Sequence, residues 1–101
     1  MTIYRKALQL LKKKCAPNWP ITVRRSKLPD DTDGDCQFKV DHFFIRINKN
    51  LTDGESVDAL IHEFAHTHAW SDSLEMHNDE WGKAYSRIYR IVLKDLLDKS
   101  E

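Results

Sequence analysis

The stretch His62-Glu63-Phe64-Ala65-His66 places two imidazoles four residues apart, with a carboxylate directly after the first. On a helix, residues four apart stand one above the other, so both rings can aim a nitrogen at one zinc ion. Glu63 can then reach a water on that zinc and remove its proton, a transfer eased because zinc brings the pKa of bound water toward ~7. The spacing H-E-x-x-H thus points to metal-assisted hydrolysis, with His62 and His66 as ligands and Glu63 as catalytic base. The competing explanation is a buried helix that happens to hold histidines. It leaves Glu63 unexplained, because an uncompensated carboxylate is costly to bury.

A hydrolytic zinc site uses three protein ligands and keeps a fourth position open. His77 is the leading candidate for the third, since it follows the loop after the motif helix and precedes the final helix, where the chain can fold back over a metal. Asp72 is an alternative: residues 66–72 imitate the tail of the metzincin motif, but Ala69 stands where that tail uses glycine for a sharp turn. Glu80, on the helix downstream, is the other. His68 lies two residues past His66 and points to another helix face, which keeps it off the same metal. His42 reads as a turn residue without a role.

These side chains need a scaffold, and the apolar spacing supplies one. Val57, Leu60, Ile61 and Phe64 recur at helical intervals, predicting a helix from Asp53 or Gly54 to Trp70, with Thr52 or Asp53 and Glu55 or Ser56 providing its start. Upstream, Ile3, Tyr4, Ala7, Leu8, Leu10 and Leu11 form one face of a helix from Thr2 to about Cys15, ended by Pro17 and Pro20. Ile21, Val23 and Arg25 alternate as a strand. Cys36, Phe38 and Val40, then Phe43, Ile45 and Ile47, form a hairpin turning at Asp41 and His42. The acidic run Asp30–Asp35 is a surface loop, and no glutamate falls where a calcium loop would need it. A last helix, capped by Asn78 or Asp79, carries Trp81, Ala84, Tyr85, Ile88, Ile91, Val92 and Leu96. The class is α+β: N-terminal helix, small three-stranded sheet, motif helix and closing helix.

At 101 residues the chain has room for a single domain and one site. No apolar run approaches the ~18 residues of a membrane span, and the start lacks a signal peptide's apolar centre, so a cytoplasmic location is expected. Cys15 and Cys36 are too isolated for a zinc ribbon and read as reduced thiols. The net charge of zero conceals a bias, because residues 1–27 hold eight Lys or Arg and no acid. That segment is either a solvated helix face or a contact for nucleic acid.

The segments LIHEFAHTHAW and HNDEWGKAYSRIYR together resemble the SprT-like zinc metalloproteases, the group that includes Spartan. In that family H-E-x-x-H is followed, after a loop, by H-G-P-E-[FW], whose histidine is the third zinc ligand. The resemblance implies a minimal zincin-like domain spanning residues 1–101. It also implies zinc held by His62, His66 and His77, with Glu63 as catalytic base. Asn78-Asp79 replaces the family's Gly-Pro, and no zinc ribbon or DNA-binding extension follows, so the chain resembles the short stand-alone form that phages also encode.

The expected function is a zinc metallopeptidase acting on protein or peptide substrates, including DNA-associated proteins. It would be a monomer that touches DNA through its basic N-terminal segment and no membrane. The rival is a non-catalytic zinc-containing module that binds a protein or nucleic-acid partner. The strand from Phe43 to Asn48 is expected to rim the cleft and hold an extended peptide by strand addition. Tyr85, Tyr89, Arg87 and His68 are equal candidates to stabilise an oxyanion. Helical spacing gives Tyr85 and Tyr89 to the core in preference to nucleobase stacking.

Overall fold

A computed structural model describes residues 2–68 and 79–98. Its elements are α1 (Ile3–Lys14), β1 (Ile21–Ser26), β2 (Gly34–Lys39), β3 (His42–Asn48), α2 (Asp53–His68) and α3 (Asp79–Asp98). Among the described residues this is an α+β fold of three helices and a three-stranded mixed sheet. No described helix is long and apolar enough to cross a membrane.

Helix α1 starts where the Thr2 hydroxyl accepts from the Arg5 amide at 3.1 Å. The Asp53 carboxylate, the first residue of α2, accepts from the amides of Ile3 and Tyr4 at 2.9 and 3.3 Å. An anion thereby meets the positive end of α1 and ties the two helix starts together. Tyr4, Ala7 and Leu11 are buried, whereas Ile3 faces solvent.

The sheet order is β1-β3-β2, with β1 parallel and β2 antiparallel to β3. Phe43, Ile45 and Ile47 alternate along β3 as buried residues. The hairpin turns one residue earlier than its alternation suggested: Lys39 pairs with His42, leaving Val40 and Asp41 in the turn. Val40 has φ of +58° and is almost wholly exposed, because a two-residue hairpin turn needs positive φ whatever the sequence offers. Strand β3 is also the centre of the sheet, so both its edges are already paired and neither can take a peptide by strand addition.

Since β1 and β2 flank β3, residues 27–33 must cross the sheet's end, and buried Asn48 holds that crossing. Its Nδ2 donates to the carbonyls of Leu28, Pro29 and Thr32 at 3.3, 3.2 and 2.9 Å, and its amide donates to Asp33 O at 2.8 Å. The acidic loop is thereby fixed to the end of β3.

Helix α2 begins with a reciprocal cap. The Thr52 amide donates to Glu55 Oε1 at 2.9 Å, and the Glu55 amide donates to Thr52 Oγ1 at 3.2 Å. These bonds hold the Glu55 carboxyl below its usual pKa. Helices α1 and α3 and strands β2 and β3 all pack on α2. It is buried almost all round, polar Ser56, Glu63, His66 and Thr67 included, while Val57 is only half-buried. Helix α3 contributes Ala84, Ile88 and Val92 to the core.

Candidate active site

Because α2 is central, its chemistry-bearing residues are held on several sides. The rings of His62 and His66 lie 5.1 Å apart, one helical turn from each other. Half-buried Trp81 of α3 packs on both, at 4.9 Å from His62 and 5.6 Å from His66. Its indole Nε1 donates a long bond of 3.4 Å to the His62 carbonyl. His66 is 5% exposed, and His62 is the more open of the pair.

Glu63 is 6% exposed, with Oε2 at 3.9 Å from Nε2 of His62. Burial, with the negative charge of Asp35 adding to it, pushes its carboxyl up to about 8. The Cys36 thiol is pushed up to about 12 by burial first, then by Glu63 and Asp35. Asp35 itself is paired with Arg46 across the hairpin.

His62 and Glu63 line a cleft of about 310 Å³ together with Asp31, Asp33, Gly34 and Asp58. Gly34 makes this closeness possible, because a Cβ there would stand 2.8 Å from the Arg46 carbonyl oxygen and 3.4 Å from Glu63 Cγ. On the other side of Asp58 lies a second depression lined by Tyr85, Ser86, Tyr89 and Arg90. The Tyr85 hydroxyl donates to Asp58 Oδ1 at 2.9 Å, joining α3 to α2 between the two hollows.

Of the expected site residues, the fold brings His62, Glu63 and His66 together. His77 and the alternative Asp72 lie outside the described residues, as do the expected helix end at Trp70 and the cap at Asn78. Glu80 is exposed on the first turn of α3. Among the described residues no three His, Cys, Asp or Glu side chains gather as a metal-binding group. Two imidazoles a turn apart fit two of a zinc ion's positions by donor chemistry.

His68 is turned away, with Nε2 at 2.6 Å from the Cys15 carbonyl oxygen, so it ties the end of α2 to the end of α1. His42 stacks on Phe44 at 4.3 Å, far in the chain from the motif. The sequence reading missed Gly34, Asn48 and Asp58. The Asp33-Gly34 pair was a visible signal for a tight approach, but the Asn48 and Asp58 roles depend on partners remote in sequence.

The chain matches no protein-family model, no curated protein and no solved structure.

Proposed function

We propose that this protein is a zinc-dependent peptidase of the SprT-like type, with a minimal zincin-like fold. Glu63 is the general base, and His62, His66 and His77 are the metal ligands. One observation carries the reading: two imidazoles set edge to face and a deeply buried carboxyl share one stretch of α2 beside an open cleft. Zinc at these residues would supply Lewis acidity, polarising the scissile carbonyl and acidifying a water.

The chain's own groups divide the remaining work. Glu63 takes the proton of the attacking water and passes it to the departing amine. The close approach of Gly34 and His62 holds its carboxyl beside the cleft. Trp81 packs on both imidazoles and limits their rotation. The outer edge of β2, which begins at cleft-lining Gly34, offers backbone groups to an extended peptide, the part first assigned to β3.

The same reading includes a cytoplasmic monomer acting on protein substrates, DNA-associated ones among them. Exposed Lys12 and Lys13 at the end of α1 are the groups that would touch DNA, whereas Lys14 is engaged by Asp95 at 2.5 Å. Glu63→Gln tests the function. Zinc content should stay equal to wild type while casein cleavage falls by roughly 100-fold or more. Equal cleavage by the zinc-bound variant would remove Glu63 as the base, and no cleavage by zinc-loaded wild type would leave a zinc-containing binding module in its place.

A further inference from the structure

We propose that Tyr85 is a catalytic residue that stabilises the oxyanion formed from the scissile carbonyl, and that Asp58 positions it. This rests on the peptidase reading above. Hydrolysis of an amide places negative charge on the carbonyl oxygen, and a donor aimed at that charge is commonly the largest single contribution to the rate. Of the four candidates from the sequence, three lie elsewhere. His68 is bonded to the Cys15 carbonyl oxygen. Arg87 is exposed and lies two residues from Tyr85, which turns it toward the opposite side of α3. Tyr89 is a turn farther along, stacked on Tyr85 at 5.8 Å.

Of the four, Tyr85 alone reaches both Asp58 and His62 of α2, from the depression that adjoins the cleft at Asp58. Its ring lies 6.2 Å from that of His62 and 5.1 Å from that of Trp81, and its hydroxyl ends on Asp58 Oδ1. Asp58 is one helical turn before His62 and lines the same cleft as His62 and Glu63. The phenol is therefore held beside the cleft by a carboxylate that accepts its hydrogen.

That partnership makes the donor selective. A neutral carbonyl oxygen competes poorly with the Asp58 carboxylate for the phenolic hydrogen, while an oxyanion competes as an equal. The hydrogen bond thus moves to the substrate as charge develops, and stabilises the transition state more than the bound substrate. As the water oxygen bonds to the carbonyl carbon, the π electron pair moves onto the carbonyl oxygen and the water's proton goes to Glu63. When the C–N bond breaks, that pair returns and the proton leaves on the amine. Tyr85 keeps its proton throughout.

The test compares zinc-loaded wild type, Tyr85→Phe, Asp58→Asn and Glu63→Gln on casein, and also measures binding of a phosphinic peptide that imitates the tetrahedral species. Tyr85→Phe should lower kcat by roughly 100-fold with KM within about twofold, and weaken the phosphinate by a similar factor while zinc content and melting stay unchanged. Asp58→Asn should give a smaller fall in kcat. Wild-type kcat in Tyr85→Phe beside an inactive Glu63→Gln would overturn the assignment and leave the peptidase reading standing. A loss that followed zinc content, or fell on KM alone, would also overturn it, because it would mark a structural role. Equal activity in wild type and Glu63→Gln would remove both.

Discussion

Gly34 stands so close to Glu63 that an added Cβ would meet Glu63 Cγ at 3.4 Å and the Arg46 carbonyl oxygen at 2.8 Å. The side chain could give way, but the carbonyl belongs to the central strand and cannot. Gly34→Ala should therefore push the start of β2 outward and destabilise the fold by about 1–3 kcal/mol. Thermal unfolding checks the first effect, and casein turnover should fall as the loop retreats from Glu63. A variant that melts like wild type would show that the approach is not tight.

Asn48 spends its amide on three carbonyls of the crossing segment. Asn48→Ala leaves those acceptors short of a donor in a buried place, at a cost of about 2–3 kcal/mol in urea unfolding. Hydrogen exchange should quicken first at the Asn48 and Thr32 amides, which bond to Asp33 and Pro29. Uniform exchange across the protein would contradict a local lock.

The Cys36 thiol, raised to about 12 from its ordinary 9.0, carries a pH signature of its own. Its folded pKa lies above its unfolded one, so its contribution to stability is complete below about pH 9 and is lost as pH rises toward 12. Iodoacetamide should label Cys36 of the native protein at least ~100-fold more slowly than the urea-unfolded chain at pH 8, since only the thiolate reacts. The native rate should keep climbing past pH 9 without a plateau. A plateau near pH 9 would show an ordinary thiol.

Chelation should abolish peptidase activity, and one equivalent of zinc should restore it. Zinc held at 100 times its Kd should stabilise the fold by about 2.7 kcal/mol. His66→Ala should lose both the stabilisation and the activity. His77→Ala should behave likewise if His77 is the third ligand, and full zinc retention there would reopen Asp72 and Glu80.

The motif helix was legible because two independent signals agree on it: Leu60, Ile61 and Phe64 state its buried face, and Thr52 with Glu55 state its start. The sheet was legible as three strands but not as an order, since alternation in Cys36 and Phe38 says which residues share a face and nothing about neighbours. Parallel pairing of β1 with β3 left no mark on either strand. Tyr85 had a helical position that suited the core, and half of it is core. What the period could not reveal was the hydroxyl, whose partner Asp58 lies 27 residues earlier on another helix. The turn at Val40 was hidden for the opposite reason, because a β-branched residue is a poor advertisement for positive φ.

The order β1-β3-β2 also dictates a sequence of events in time. Strands β2 and β3 are joined by two residues and can pair as soon as they exist, whereas β1 must find β3 across the whole intervening hairpin. The Asn48 lock on residues 28–33 sits at the end of that pairing, where Ser26 meets Asn48. A half-folded chain can therefore own the histidine helix while still lacking the wall that turns its surface into a cleft. The wall of the cleft is thus completed by the pairing of longest range in the sheet.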